Sequence, residues 1–505
     1  MSNFLKIFLS ALTVCFISYS GANGQQVHPD AFGYYHEALK YSRTTFGGSA
    51  RYMGLAGAAT ALGGDMGSVH VNPAGLGLYR RSEVSFSPGL NFANSRTNFL
   101  NTTTPDNRQN LNVGNFGVVF SDVKDDIEPG AWRGGSFGIS FTRTNNFNNQ
   151  FTAAGVNPRN SMTDYFAQIS QGFHFDQDIF FPPEDLIDLA VLSNTLFPDV
   201  SGRFYTPVNR GFPSRQEEII TERGGQFQWD ISYGGNFNDQ FYIGASMGIT
   251  RIRNITERTF RETVLYDFDD PRDLIDLEVY DYFESRGTGV NFTLGTIYRP
   301  SDIIRFGLTL ETPTWYAVTD QYLYYARSRF EETQYNFEGE TPLSSYRYNL
   351  NTPLRLTGGA AFFLGRSGFI SADIAYVDYS AATVREPGAT INQLRGDNLT
   401  IQSLYRPTIN VNLGAEQRFD IYRLRVGFAT LGNPYRPDAS DIRHTVYNFT
   451  LGAGIRMPDY YVDFALINTR FNSSYAPYSL ADGTQPVATI RNSNTNAMIS
   501  FGLFF

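Results

Sequence analysis

The last fifteen residues constrain the chain most. Ala497, Ile499, Phe501, Leu503 and Phe505 share one face of an extended segment, and Met498, Ser500, Gly502 and Phe504 share the other. A period of two is the mark of a β-strand with unlike faces. The pattern recurs upstream. Tyr447, Phe449, Leu451, Ala453 and Ile455 alternate with polar and small residues, as do Ile409 to Ala415, Tyr422 to Phe428 and Ile304 to Leu310. In a soluble sandwich the apolar face is the core and the other meets solvent. Here the second face mixes Gly with Arg, Glu and Asn, which equally suits a crowded polar lumen. Periodicity alone leaves both architectures open.

Connection lengths favour the second. Strands are predicted near 82–94, 109–121, 132–148, 225–237, 240–262, 285–299, 303–328, 346–364, 367–385, 403–420, 422–432, 445–457, 459–472 and 491–505, about fourteen in all. Five even-to-odd connections are short, through Asn238-Asp239, Pro300-Ser301, Gly365-Arg366, Phe419-Asp420 and Pro458-Asp459. The stretch from Ser121 to Gly130 is the charged exception, and the remaining connections are long. Short turns on one rim and long loops on the other, with an even strand count, mark a transmembrane antiparallel β-barrel. Aromatic residues make up 15% of the chain and supply the two interfacial girdles such a barrel needs. The terminal Phe504-Phe505 resembles the C-terminal signal by which bacterial outer-membrane barrels are recognised. Pro88, Pro313, Pro353 and Pro407 fall inside predicted strands, and each should mark a bulge, kink or strand end.

Composition narrows the chemistry. The 505-residue chain has one Cys, 5 His and a net charge of -9. No metal site or cofactor is expected from so few ligands, and no nucleic-acid partner from an acidic chain. A mean hydropathy of -0.28 excludes a bundle of membrane helices but not a barrel. Residues 1–24 read as a cleaved signal peptide: Lys6, the apolar run Ile7 to Ile17, then small residues ending at Gly24. Cys15 lies inside it and leaves with it, so the exported protein holds no cysteine.

Residues 25–81 do not alternate. The run from Gly47 to Thr60 is small and nearly uncharged, and continues through Gly63-Gly64-Asp65 to Asn72-Pro73-Ala74-Gly75. Such a segment packs its backbone closely in a narrow space. With Ser42-Arg43-Thr44 ahead of it, and the first strand directly after, this stretch resembles the FadL/TodX family of outer-membrane transporters, in its Bacteroidota-type form. The resemblance implies a fourteen-stranded barrel, residues 82–505, plugged by an N-terminal hatch, residues 25–81, with Asn72, Pro73, Ala74 and Gly75 as hatch residues. It further implies passive uptake of hydrophobic small molecules, such as long-chain fatty acids or aromatic hydrocarbons, with release sideways through the wall. The alternative is a non-transport barrel serving as a binding or assembly component in protein secretion. A monomer in contact with outer-membrane lipid and lipopolysaccharide is expected.

The longest loop, about 149–224, carries two amphipathic patches. Ser161 and Asp164 form a capping box before Tyr165, Phe166 and Ile169. Pro182-Pro183-Glu184-Asp185 opens a second helix bearing Leu186 and Leu189, with Phe173, Phe175, Phe180 and Phe181 between the two. These six apolar residues are candidates for first capture of a ligand, or they pack on one another over the mouth. Gly244-Ala245-Ser246-Met247-Gly248 matches a nucleophile elbow in letters, but it sits within an alternating strand, so Ser246 should face the lumen and no catalytic residue is assigned. The acids from Asp267 to Glu284 read as a solvated loop, at most a loose divalent-ion contact to lipopolysaccharide phosphates.

Overall fold

The computed structural model describes residues 27–28, 30–124, 130–171, 183–199, 201, 203–206, 213–265, 273–439 and 443–505. Fourteen antiparallel strands form the wall. They are β1 (Glu83–Phe99), β2 (Thr102–Val123), β3 (Trp132–Asn146, resumed at Asn149–Asn157), β4 (Ser214–Phe237), β5 (Phe241–Val264) and β6 (Leu274–Tyr298). Then follow β7 (Ile304–Glu311 and Trp315–Phe330), β8 (Ser344–Asn351 and Arg355–Phe363), β9 (Gly368–Asp378) and β10 (Pro407–Phe419). The last are β11 (Tyr422–Leu431), β12 (Val446–Arg456), β13 (Tyr460–Tyr475) and β14 (Ala488–Phe504). Each pairs with its sequence neighbour, and β14 pairs back onto β1 from Glu83↔Phe504 to Asn98↔Thr489. Closure leaves the sheet without an edge at that join.

The alternation in the sequence becomes inside and outside. Ile499, Phe501, Leu503 and Phe505 are exposed on the outer surface of β14, while Ser500 and Gly502 are buried inward. On β5, Phe241, Ile243 and Ile249 face out and Tyr242, Ser246 and Thr250 face in. From Phe241 to Ile249 the outward face is apolar, the span of a membrane-crossing strand of about 9–11 residues. Exposed Phe237, Phe241, Tyr298, Phe419, Tyr422 and Tyr460 ring the short-turn end.

Three features differ from the sequence expectation. The β1–β2 connection is a two-residue turn, Leu100-Asn101, both with positive φ, because both strands run on as a hairpin beyond the apolar belt. The longest loop is shortened at both ends, since β3 resumes over Asn149–Asn157 and β4 starts at Ser214. Asp276, Glu278, Asp281 and Glu284 lie on β6 rather than in a loop, where Arg329, Arg261, Arg258 and Arg253 neutralise them from the flanking strands. Cross-strand charge pairs replace solvation there. Asp267, Asp269 and Asp270 lie outside the described residues.

The prolines behave as proline chemistry requires. Pro88 sits at a register shift, Pro407 opens β10, and Pro313 and Pro353 occupy facing interruptions of β7 and β8. That double interruption is sealed: Thr352 N donates to Thr314 O at 3.1 Å and Thr314 N to Thr352 Oγ1 at 2.8 Å.

Candidate functional site: the lumen, the N-terminal segment and a wall window

Residues before β1 enter the ring of strands. Helix α1 (Tyr34–Ser42) lies toward the long-loop rim, against α6 (Arg395–Leu404) of the β9–β10 connection. Gly33 caps α1 without a side chain, and Asp397 of α6 supplies what is missing: its carboxylate accepts from the amides of Phe32 and Gly33 at 3.0 Å and of Tyr35 at 3.3 Å. This joins the exposed helix start to an anion from another element. Burial in this cluster pushes the Glu37 carboxyl up to about 6, against the pull of Lys40 and Arg258. A folded-state pKa above the ordinary 4.5 stabilises docking fully below that value and loses the contribution as pH rises through about 6. We therefore expect the α1 amides, corrected for intrinsic rate, to exchange faster at pH 7.5 than at pH 5, and E37Q to abolish the difference.

Beyond α1 the segment folds as α2 (Ala50–Gly54), α3 (Ser68–Val71) and a 3-10 turn at Pro73–Leu78. It touches the wall on many sides. Tyr52 and Met53 pack with Ala465 and Met498, Leu55 and Leu62 with Ala361 and Phe369, Met66 and Leu76 with Val119, and Ala74 with Tyr242 and Ile297. The wall makes room with inward glycines. A Cβ on Gly244 would run into the backbone of Pro73 and Ala74, on Gly307 into Thr60, and on Gly414 into Leu55 O at 2.7 Å. Close approach of two backbones is the physical reason for glycine at these wall positions.

The Asn72-Pro73-Ala74-Gly75 motif is a joint. Asn72 is buried, its Oδ1 accepts from Ala74 N at 3.1 Å, and its Nδ2 donates to Thr60 O at 2.6 Å and to Thr296 O of β6 at 3.3 Å. Gly75 lies against Gly63 and Ser68, and its carbonyl accepts from Gly64 N at 3.1 Å. Asp373 of β9 holds the segment from the opposite side, accepting from Ala59 N and Thr60 N at 2.9 Å and from Thr60 Oγ1 at 2.7 Å.

Charges complete the docking. Glu416 of β10 meets Arg425 at 2.7 Å, Arg418 at 2.8 Å and Arg51 of α2 at 3.6 Å, while Arg425 also reaches Asp463 at 2.6 Å and Arg51 lies 3.8 Å from Asp65. Arg51 and Asp65 belong to the segment, and the other four to the wall. Among these six residues each side is neutral by itself, so neither side relies on the other for net charge balance. On the far side His70 Nδ1 lies 2.9 Å from Asp230 Oδ2. Burial pulls its pKa down, but the charge and hydrogen bond of Asp230 outweigh that and the net shift is upward.

The wall itself is incomplete between β2 and β3. Their ladder runs from Val123↔Gly134 to Asn115↔Thr142 and stops, so Thr102 to Val113 pair with β1 alone among the described residues. A bulge at Thr144 shifts β3 against β4, and Arg143 staples it by donating to Asn145 O at 3.2 Å, Asn146 Oδ1 at 2.6 Å and Gly224 O at 3.0 Å. Higher up the two strands meet again through side chains: Thr152 N and Oγ1 donate to Asp106 at 2.9 and 3.0 Å. The result is a window with the Asn115–Thr142 pair as sill and Asp106–Thr152 as lintel. Leu111, 80% exposed, stands on its edge. Inside, the N-terminal segment is docked on the bulge, with Thr45 N donating to Thr144 O at 3.0 Å and Asn145 Nδ2 to Arg43 O at 3.3 Å.

Several cavities border the segment, and two of them lie between it and the inner wall above the motif. One of about 100 Å³ lies among Thr45, Thr60, His70, Gln228, Glu311, Arg355 and Asp373. The other, about 260 Å³, lies between Arg43, Phe46 and Met53 and the wall residues Asn91, Asn145, Asn146, Leu431, Asn448, Ile467, Asn494 and Asn496. Both are richer in polar groups than the apolar pocket that hydrocarbon cargo leads one to expect.

Of the loop residues singled out by sequence, Leu189 is fully buried and Leu186 half-buried, on α5 (Leu186–Leu192), which packs beside α4 (Met162–Ile169). The capping box of Ser161 and Asp164 is present. The apolar face of these helices is turned down onto the ends of the wall strands, where Met162, Phe166, Ala190 and Leu196 pack with Phe260, Leu277, Val279 and Phe330. Phe173, Phe175, Phe180 and Phe181 lie outside the described residues. Ser246 faces the lumen mid-strand and bonds Ser232 Oγ at 2.7 Å. The sideways opening was an expectation of the resemblance, but its place was not, although Asn145-Asn146-Phe147-Asn148-Asn149, too polar for a wall strand, was its signal.

No family model and no curated protein sequence matches the chain. Solved structures do. A FadL homologue of Pseudomonas aeruginosa aligns over 91% of this chain and 98% of its own, with a TM-score of 0.54 at 12% identity. The chain has the FadL-type fold. The toluene transporter TodX of P. putida aligns over 91% and 99%, with a TM-score of 0.50 at 11% identity. A TodX variant described as a monoaromatic hydrocarbon channel gives 0.52 at 10% identity, again over 91% of this chain and 99% of that one. The FadL-type wall is therefore kept at identities where few side chains coincide, and the lumen chemistry has to be read from this chain's own residues.

Proposed function

We propose that this chain is an outer-membrane channel for passive uptake of hydrophobic small molecules, with residues 25–81 as a movable hatch and the first 24 residues removed on export. The observation that carries the reading is the window between β2 and β3 with the segment docked on its bulge. An apolar tail leaving the lumen there enters lipid without crossing a water-filled pore. The charge-balanced contact of Arg51 and Asp65 with the wall supports a segment that undocks. The named cargoes of TodX and its relatives support the substrate class.

The test is uptake of a labelled long-chain fatty acid and of toluene by an outer-membrane host lacking its own channel. The full chain should restore both, and removing residues 27–81 should alter uptake while admitting small hydrophilic dyes. Failure to restore any hydrophobic probe overturns the reading and favours an assembly component of secretion.

The barrel acts as a single chain in contact with outer-leaflet lipopolysaccharide. Support comes from an arginine row on the outer surface: Arg253 pairs with Arg286 across β5 and β6, and Thr319 joins Arg286 to Arg347 across β7 and β8. Arg251 lies two residues lower on β5, and among the described residues Glu284 alone offsets Arg253 and Arg286. The row stands just beyond exposed Trp229 and Trp315, at headgroup height. Replacing all four arginines by Gln should cut co-purifying lipopolysaccharide about tenfold relative to phospholipid, since guanidinium–phosphate pairs are the strong contacts there. Unchanged co-purification refutes the contact.

A further inference from the structure

We infer that His70 and Asp230 form a proton-operated latch between the N-terminal segment and the wall, closed while His70 carries its second proton and loosened when it loses it. The inference deepens the transport reading and rests on it only for the effect of the latch on passage of cargo.

The pair bridges two bodies. His70 lies on α3, two residues before Asn72, and Asp230 lies on the lumen face of β4. His70 Nδ1 is 2.9 Å from Asp230 Oδ2, and Asp230 Oδ1 accepts from Gln228 Nε2 at 2.7 Å. Asp230 is 1% exposed, and among the described residues His70 is the single cation paired with it. A buried carboxylate whose one cation stands on another body ties the two together, because parting them leaves its charge uncompensated. The Arg51 contact works differently, since Glu416 keeps Arg418 and Arg425 when the segment leaves. Of the two charged contacts, only the one at His70 depends on docking.

Imidazole is the side chain whose charge changes near neutral pH. The His70 ring is one-fifth exposed on the cavity of about 100 Å³, where water reaches it. The other charged or titratable groups lining that cavity are Tyr52 of α2, Glu311 of β7, Arg355 of β8 and Asp373 of β9. Glu311 favours the proton on His70 and Arg355 opposes it; these two stand 3.9 Å apart, and Asp230 outweighs both. Asp373 is engaged by Ala59 and Thr60. The strands beside β4 set only Ser140 and Gly248 opposite Asp230, and neither carries charge. With the docked His70 shifted upward, the contribution of the pair is complete below the ordinary 6.5 and lost as pH rises through the docked value. The neutral ring still donates from Nδ1, but a bond with one charge is weaker than a bond with two. Acid closes the latch and alkali loosens it.

The test is amide hydrogen exchange of the full chain in lipid nanodiscs at pH 5.5 and pH 8.5, corrected for intrinsic rate and read over Val69 to Tyr79. These amides should exchange about tenfold faster at pH 8.5, the weight of one pKa unit in the docking equilibrium. H70Q and D230N should each remove most of that difference while keeping the heat-modifiable migration of a folded barrel. The double variant should behave as either single one, as expected of two residues in one contact. E37Q, which acts on α1, should leave the response of Val69 to Tyr79 intact. If H70Q fails to fold, D230N decides alone. Parent rates independent of pH, or a tenfold response that survives in a folded H70Q or D230N variant, overturn the inference. Uptake of toluene, which does not titrate, separates the two readings. Uptake by a parent whose amides show no pH response leaves transport standing and the latch refuted. A pH response that both variants remove, without uptake of toluene or of the labelled fatty acid at either pH, leaves the latch standing and transport refuted.

Discussion

Excising Thr144 should close the window and lower uptake of hydrophobic probes at least tenfold, with the barrel still folded. The residue is the extra one in β3: Arg143 pairs with Phe227 and Asn145 with Gln226, so one residue of β3 has no counterpart on β4. A bulge bends its strand and ends pairing on the free side, and here the β2–β3 ladder stops two residues earlier, at Asn115↔Thr142. Without the bulge the register of β3 runs straight, and the open groups of β2 from Asn107 to Gly114 gain a neighbour. The same excision removes the carbonyl that accepts from Thr45 N and Thr45 Oγ1. The amides of β2 above Asn115 give an independent readout. They should exchange readily in the parent and become protected in the variant. Full uptake in a variant whose β2 amides have become protected would place the exit elsewhere, toward the short-turn rim. Pro313 and Pro353 provide the internal control. They interrupt the wall as visibly as β3 does, yet Thr314 and Thr352 bridge the gap, so P353A should leave uptake near the parent level.

How much of this was legible follows from what each residue faces. Within the apolar belt the lipid imposes strict alternation, so Tyr447 to Ile455 or Ala497 to Phe505 announce both strand and face. Above the belt that rule lapses. Thr102 to Arg108 is polar on both faces and reads as loop, although it forms the outer half of a hairpin. Asp276 to Glu284 was read as solvated, because the arginines that neutralise it stand on other strands. The small residues from Gly47 to Thr60 pointed to close packing, but the matching glycines Gly244, Gly307 and Gly414 are scattered over three strands and carry no local signal. Of the ion cluster, Glu416 and Arg425 face each other across the β10–β11 hairpin, whereas Asp463 and Arg51 join them from elements farther along the chain and carry no local signal.

That cluster should give the largest single effect on stability. Arg425 is 3% exposed and is shared by Glu416 and Asp463, themselves 2% and 5% exposed. R425L leaves Asp463 without its guanidinium and Glu416 with the longer contact to Arg51 and the half-buried Arg418. Removing one partner of a buried pair costs about 3–5 kcal/mol, because the charge left behind is uncompensated. R51L should cost far less, about 1 kcal/mol, the size of an ordinary lost hydrogen bond. Glu416 then keeps two arginines, and Asp65 keeps Ser49 Oγ and Gly67 N, both at 2.9 Å. The two variants should also differ in kind. R425L lowers the urea midpoint of the whole barrel, whereas R51L loosens the N-terminal segment and shows first as faster proteolysis before Glu83. The decisive comparison adds D463L to R425L. With the stranded carboxylate gone and Glu416 still held by Arg418 and Arg51, the double variant should recover most of the loss, the non-additivity expected of residues in one network. Equal midpoints for R425L and the double variant would mean that the guanidinium acts by packing and not by charge.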